Sequence, residues 1–294
     1  MKQSDEDINN EIADLERRLA EAKARRSRQP PPPPPLTSSP SRPTRQNLSN
    51  HFHLLLSDSA LPLGSFAFSS GLESYLMHGK TGHHTHTSFP AFLPISVSSY
   101  ASTTLPFVLS AHRDPSFSNL CELDDAQDAT IICTVGKRAS VAQGRALLGI
   151  YERSFATAPG VSFPRQATDD LKQYSRLLKL QSGRADDGGP PAVSAHLAPL
   201  FGAICRLVGM SLEQTAYVFM LGHVKALVSA AVRAGMFGPY QAQKTLAGGT
   251  VRTLITAMVD REWETRVEAA GQNVPVMDLW FGRHEVLYSR IFHS

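Results

Sequence analysis

The chain has 294 residues, with 29 Lys or Arg and 26 Asp or Glu, and a formal net charge of +3. The first 49 residues hold nine of the basic and seven of the acidic groups, so the rest of the chain has a net charge of only +1. This balance disfavours nucleic-acid binding, which requires a concentrated basic surface, and three cysteines without a C-x-x-C pair support neither a disulfide framework nor a zinc motif.

Residues 1–49 are predicted to be a flexible extension. Half of the first 28 residues are charged, and a thin apolar stripe at heptad-like spacing is too small to join a core: Ile12, Leu15 and Leu19. Six consecutive prolines at 30–35 are typical of a polyproline linker or of a docking site for a proline-reading domain. We therefore predict that residues 50–294 form the folded domain, which is long enough for one substantial core.

An uncharged segment at residues 85–111 is long enough to span a bilayer. It also holds ten Ser or Thr and three prolines, which make it a poor solute for hydrocarbon. We therefore reject a transmembrane helix. Because the N-terminus also lacks the apolar run of a secretory signal, we expect a soluble, cytoplasmic protein with no membrane partner.

After residue 50 the apolar periodicity is helical. Residues 126–154 contain few helix breakers, and a short helix is expected over 171–180. Apolar residues recur at helical spacing from 197 to 208, with Gly209 as a stop signal, and a further pattern at 240–262 is weakened at the Gly pair 248–249.

The segment after Gly209 begins with a capping-box pattern formed by Ser211 and Gln214. The helix that follows, ending near Gly235, is apolar on more than one face, so we expect it to be the central helix of the domain. No run of alternating β-branched residues indicates a strand. The predicted fold class is all-α, a single compact helical bundle.

Most signatures of catalysis are missing from the sequence, including the P-loop, the H-E-x-x-H zinc motif and the G-x-S-x-G elbow. Ser57, Asp58 and Ser59 lie near His51 and His53 and suggest a hydrolase, but nothing supplies a nucleophile turn or an oxyanion hole. A serine or aspartate in this context is more typical of a helix cap.

A histidine cluster is the sharpest metal candidate. His83, His84 and His86 fall within four residues, and their imidazoles suit nickel, copper or zinc. The alternative is a solvated loop that joins two helices, because no carboxylate or cysteine lies nearby to complete a ligand shell.

Two further stretches are unusual for a plain core. In 61–73, Pro62 fixes a backbone dihedral angle, Gly64 permits a bend, and Phe66 either packs in the core or contacts a partner. The C-terminal stretch 283–294 carries residue types that are enriched at interface hot spots: Tyr288, Arg290 and Phe292.

Together with the segment KRASVAQGRALL at 137–148, these stretches resemble the F-type urease accessory protein family (UreF). The helix pair around 197–232 and the ending 284–292 are also similar, and the four motifs occur in order over residues 52–294. The sequence departs from the family pattern at Ser65, where a second glycine is usual, and at 67–68, where Ser-Tyr is more common. The histidine loop and the N-terminal extension are peculiar to this chain.

The resemblance implies an all-α homodimer without enzymatic activity and without a cofactor of its own. Such proteins bind the D/H-type urease accessory protein, and they recruit and regulate the nickel-carrying GTPase. Nickel is then delivered as cargo to apo-urease. The alternative from the residues themselves is a chaperone that carries nickel through the loop His83–His86.

The family motifs also imply a set of partner-binding residues. Glu73, Arg138 and Arg145 are the charged candidates for GTPase regulation, with an in-trans arginine finger as one possibility. The complete set is Pro62, Gly64, Phe66, Gly71, Glu73, Arg138, Gly144, Arg145, His284, Glu285, Tyr288, Ser289, Arg290 and Phe292.

Overall fold

The computed structural model describes residues 2–28, 45–81, 87–182 and 192–293. The chain divides into two compact units, Met1–Thr44 and Arg45–Ser294. In the first unit the described part is a single helix, α1 (Lys2–Arg28). The second unit begins with a helix that starts at Arg45, and the boundary predicted near Asn50 lies inside this helix. The proline run at 30–35 lies outside the described residues.

The prediction of an all-α fold is confirmed: the described residues form α-helices and short helical turns, without a strand. The second unit contains α2 (Arg45–Ser57), α3 (Leu72–Thr81), α4 (Phe89–Arg113), α5 (Phe117–Thr130), α6 (Thr134–Ile150), α7 (Arg165–Ser182), α8 (Leu197–Leu207), α9 (Leu212–Arg233), α10 (Pro239–Ala247), α11 (Gly249–Glu262) and α12 (Val276–His284).

Helix α4 is the centre of the second unit. It packs against α5, α8, α9 and α11, and 16 of its 25 residues are buried, compared with 11 of 22 in α9. The expectation that α9 is the central helix was therefore wrong, because the Ser and Thr side chains of α4 bond back to their own helix and can be buried. Thr103 Oγ1, for example, donates to the Ser99 carbonyl oxygen at 2.8 Å.

Within the described residues, α4 and α9 are the helices long and apolar enough to cross a membrane. The most apolar 18-residue window of each is 72% buried in α4 and 61% buried in α9. A core helix of a soluble protein has the same length and composition, so this finding is weak evidence for a membrane span.

Local signals predicted the α8–α9 pair correctly. Gly209 ends α8 with φ of +84°, the left-handed region that favours glycine. Gln214 N then donates to Ser211 Oγ at 3.0 Å, and Ser211 N donates to Gln214 Oε1 at 2.9 Å, which completes the capping box.

The stretch 126–154 is not one helix. It is interrupted between Thr130 and Thr134, where Ile131 and Ile132 follow each other. Adjacent β-branched residues lower helix propensity, and the Thr130 hydroxyl donates to the Ala126 carbonyl oxygen at 2.8 Å in the last turn of α5. The Gly pair 248–249 likewise separates α10 from α11, as its composition suggested.

Candidate functional site

The segment 61–73 forms a tight turn that leads into α3. Gly64 and Gly71 have φ of +75° and +81°, which a residue with a Cβ rarely adopts. Ser65, which departs from the family pattern, lies in a 3-10 turn, and its hydroxyl donates to Gln143 Oε1 of α6 at 2.8 Å. Gln143 belongs to the family motif at 137–148, which is named the middle motif below. The turn is therefore fixed to the middle motif by a side-chain hydrogen bond.

Glu73 lies in the first turn of α3 and binds the C-terminal end of the chain. One carboxylate oxygen, Oε2, accepts hydrogen bonds from His284 Nε2 at 2.9 Å and from Phe292 N at 3.2 Å. The other, Oε1, accepts from Ile291 N at 2.6 Å. Glu73 and His284 are both buried. A single carboxylate thus holds both α12 and the tail that follows it.

Residues 285–293 follow α12 and are named the C-terminal tail below. Phe292 is buried, and the Arg233 guanidinium lies 4.4 Å from the centre of its ring, a cation–π contact. His293 N donates to the Ala67 carbonyl oxygen at 2.8 Å, so the tail ends against the turn that contains Phe66.

An ion-pair network links the tail to the middle motif at the surface. Arg138 of α6 donates to Glu285 Oε1, and Arg290 Nη1 lies 3.4 Å from Glu285 Oε2. The hydrogen bond from Arg138 lowers the pKa of Glu285, assisted by the positive charge of Arg290. Because these side chains are solvent-exposed, we assign the network a role in orientation rather than in stability.

Several large apolar side chains of this region face solvent. Tyr288 is fully exposed, Val286 is 75% exposed, Phe66 is 66% exposed and Ile291 is 65% exposed. Pro62 and Ser289 are exposed as well. Apolar and aromatic side chains rimmed by charged groups are typical of a protein-binding surface.

The middle motif packs tightly against the segment that precedes α8. A Cβ on Gly144 would overlap the carbonyl oxygen of Ala195, so only glycine allows this approach. Arg145 Nε donates to the Ser194 carbonyl oxygen at 3.2 Å. Gly71 makes a looser approach, because a Cβ there would lie 3.4 Å from Trp280 Cβ.

A buried carboxylate that the sequence reasoning missed holds the same segment. Asp124 accepts hydrogen bonds from the backbone nitrogens of Ser194, of Ala195 at 3.1 Å and of His196 at 2.6 Å. Ala195 has φ of +70°, a strained value for a residue with a Cβ. The three bonds to one carboxylate stabilise this strained backbone.

His196 completes the arrangement. Its Nδ1 lies 3.0 Å from Ser140 Oγ, and its Nε2 lies 3.0 Å from Asp128 Oδ1. Partial burial alone would raise the pKa of Asp128, but hydrogen bonds from Lys137 and His196 outweigh it and lower the pKa. His196 is completely buried, so this Ser–His–Asp chain lacks the exposed imidazole that general-base catalysis needs.

A cavity of about 110 Å³ lies between the turn and the middle motif, lined by Phe68, Ser70, Tyr100, Ser140, Gln143 and His223 among others. Burial lowers the pKa of His223 to about 3, so its imidazole is neutral at ordinary pH. Cys133 and Asp278 also line the cavity, but among the described residues no three His, Cys, Asp or Glu side chains are grouped so that they could hold a metal ion.

The metal candidates His83, His84 and His86 lie outside the described residues. In the described part of the chain, no group of three or more His, Cys, Asp or Glu side chains is placed to hold a metal ion. Two of the residues considered for hydrolysis make local hydrogen bonds. Ser57 Oγ donates to the His53 carbonyl oxygen at 2.6 Å, and Asp58 Oδ1 accepts from Ala60 N.

The amino-acid sequence is similar to those of known proteins over the same segments. The family model UreF matches residues 83–249. An uncharacterized urease accessory protein UreF-like from Schizosaccharomyces pombe is 36% identical over 254 residues, covering 85% of this chain and all of that protein. Urease accessory protein F from Oryza sativa subsp. indica is 31% identical, covering 81% of this chain and 82% of its own length.

A bacterial relative, urease accessory protein UreF from Paenarthrobacter aurescens, is 28% identical and covers 81% of this chain and 95% of its own length. The match thus includes the turn, the middle motif and the helix pair; Ser65 joins the first two, and Gly144 of the middle motif packs against the segment that leads into the helix pair. The chain belongs to the UreF family.

Proposed function

We propose that this protein is a urease accessory protein that acts by binding other proteins, without catalytic activity of its own. In this proposal it forms a cytoplasmic homodimer, binds the D/H-type urease accessory protein, and recruits and regulates the nickel-carrying GTPase. Nickel is the cargo that the assembly delivers to apo-urease. Family membership and the names of the relatives support the urease role.

The observation that carries the proposal is the docked C-terminal tail. Glu73 binds the backbone of Ile291 and Phe292, and the side chains of Tyr288 and Ile291 face solvent. A tail fixed in this way loses little conformational entropy on binding, so its exposed side chains can contribute more of their contact energy to affinity.

The proposed partner-binding residues then fall into two groups with different roles. Five are buried and position the surface rather than touch a partner: Gly71, Glu73, Gly144, His284 and Phe292. The others face solvent or lie at its edge, and among them we assign contact with the D/H-type protein to Phe66, Tyr288, Ser289 and Arg290.

Arg138 and Arg145 remain the proposed charged contacts for the GTPase. Arg138 is 63% exposed in its side chain but is paired with Glu285, so an arginine-finger role would require that pair to open. The cost of opening is small, because both side chains are exposed and solvent screens their attraction.

The test is co-purification of the full chain with the D/H-type accessory protein. We expect Tyr288→Ala combined with Ile291→Ser to weaken the complex by about tenfold or more, the effect of removing an interface hot spot. Tyr240→Ala is the matched control, because Tyr240 is 91% exposed on α10 and lies outside the family motifs. Undiminished binding by the double variant would refute the assigned surface.

A second measurement addresses the urease role itself. Urease recovered from cells that carry the double variant should contain less nickel than urease from cells with the wild-type chain. Unchanged nickel content in cells that lack the chain altogether would contradict the function, whatever the result for the tail.

A further inference from the structure

Helix α1 carries an apolar stripe whose side chains are about half exposed. Ile12, Leu15 and Leu19 are 49%, 56% and 56% exposed. In a heptad pattern they occupy positions a, d and a, with Ala22 at the next d position. The ion pair between Arg17 and Asp14 (2.5 Å) lies at positions f and c, on the opposite face. The stripe is therefore arranged as a coiled-coil seam.

The charges beside the seam identify the orientation of a second copy. In a parallel pair, each g position meets the e position five residues later in the other helix. Glu11 would then face Glu16, and Arg18 would face Lys23, so both flanks of the seam would bring like charges together. A parallel homodimer of α1 is disfavoured by its own sequence.

An antiparallel pair removes these conflicts. When Ile12 of one helix lies opposite Leu15 of the other, Leu19 lies opposite position 8, which is also an isoleucine in the sequence. Positions g then face each other, and Glu11 meets Arg18 twice across the two-fold axis. Shifting the alignment by one heptad would instead place Arg18 against Arg18 and Glu16 against Glu16.

We propose that α1 is a dimerisation element that pairs with α1 of a second copy of this chain in antiparallel orientation, with Ile12 and Leu15 in the central layers. The inference rests on the exposed stripe and on charge complementarity, and it is independent of the proposed role in urease maturation.

Cysteine cross-linking in the full-length chain tests the orientation. Under mild oxidation, Ile12→Cys combined with Leu15→Cys should give a disulfide-linked dimer, because the two positions face each other across the antiparallel seam. Leu19→Cys alone should not, because the two copies of residue 19 are then 11 residues, about 16 Å, apart along the axis and beyond disulfide reach. The wild-type chain, with Cys121, Cys133 and Cys205, controls for cross-links through native thiols.

Charge reversal gives results of opposite sign for the two orientations. In the double-cysteine background, Glu11→Arg should lower the cross-linking yield by about fivefold, since two attractive pairs become repulsive. Adding Arg18→Glu should restore it. In a parallel pair Glu11→Arg would instead raise the yield, because it would face Glu16.

Cross-linking by Leu19→Cys alone, or no cross-linking in any variant, would overturn the proposal. Co-purification with the D/H-type protein, measured on the same variants, distinguishes this failure from failure of the proposed function. Circular dichroism of each variant shows whether the helix content is retained.

Discussion

Replacing Glu73 by alanine should release the C-terminal tail while the remaining helices stay folded. The substitution removes the only carboxylate that joins α3 to His284, Ile291 and Phe292 in the described structure. Because most side chains of the tail are exposed, among them Val286, Tyr288 and Ile291, it can detach without disturbing the core around α4. The variant should therefore lose local order rather than global structure.

The size of the effect follows from the contacts. Each of the three hydrogen bonds to the carboxylate contributes about 1.5–3 kcal/mol to holding the tail. Burial of Phe292 and the cost of ordering the tail backbone are the same in the wild-type chain and in the variant, so they cancel in the comparison. We expect the variant to lose at least about 3 kcal/mol of this stabilisation, which corresponds to an increase of a hundredfold or more in the detached population.

Glu73→Gln should have an intermediate effect, because one amide oxygen can replace Oε2 while the amide nitrogen faces the Ile291 N–H. Native-state hydrogen exchange of the C-terminal peptide measures both variants. Glu268→Ala is the control, since Glu268 is 75% exposed in its side chain and pairs with Arg266 at the surface. Unchanged protection of the Ile291 and Phe292 amides in Glu73→Ala would refute the reasoning.

Three further predictions concern the core beneath the site. Gly144→Ala should lower the free energy of unfolding, measured by urea titration, by about 1–3 kcal/mol, because the added Cβ meets the Ala195 carbonyl oxygen. Gly149→Ala is the control and should be nearly neutral, because its added Cβ meets only the flexible end of Arg153. Asp124→Ala should cost about 3 kcal/mol or more by leaving three backbone N–H groups unpaired at once, and a wild-type unfolding midpoint would contradict this role. Burial lowers the pKa of His223 from 6.5 to about 3. Between these pH values the unfolded chain binds a proton that the folded chain excludes. The free energy of unfolding should therefore fall as the pH drops from about 6.5 towards 3, by up to about 1.4 kcal/mol per pH unit. His223→Phe should flatten that slope in denaturation measured at several pH values, and identical slopes would exclude His223 as its source.

The helices that the sequence predicted well are those that end on local signals. Ser211 and Gln214 cap each other within four residues, and Gly209 adopts its left-handed conformation one turn earlier. No glycine or proline marks the interruption at Ile131 and Ile132 in the sequence. The adjacent β-branched residues weaken the helix only slightly, so the break also depends on how α5 and α6 pack against α8, and a single-sequence pattern carries little information about such packing.

The candidate site shows the same division between local and distant information. The motifs at 61–73, 137–148 and 284–292 were identified from the sequence, but their roles were not, because Glu73 and Ile291 are 218 residues apart. Asp124 was missed altogether, since its partners are 70–72 residues away and no local pattern marks an aspartate that binds backbone nitrogens. A positive φ at Ala195 is invisible in sequence for the same reason.

These placements explain why the motif residues resemble a binding site even where they are buried. Under the proposed function, a surface that binds several proteins in succession must keep its shape when each partner leaves. Glu73 fixes the tail from inside, and Asp124 fixes the segment that supports the middle motif. Arg138 joins these two parts at the surface through Glu285. The side chains proposed to touch partners, such as Tyr288, then need only a fixed backbone, whereas the buried carboxylates have no substitute of equal hydrogen-bonding capacity.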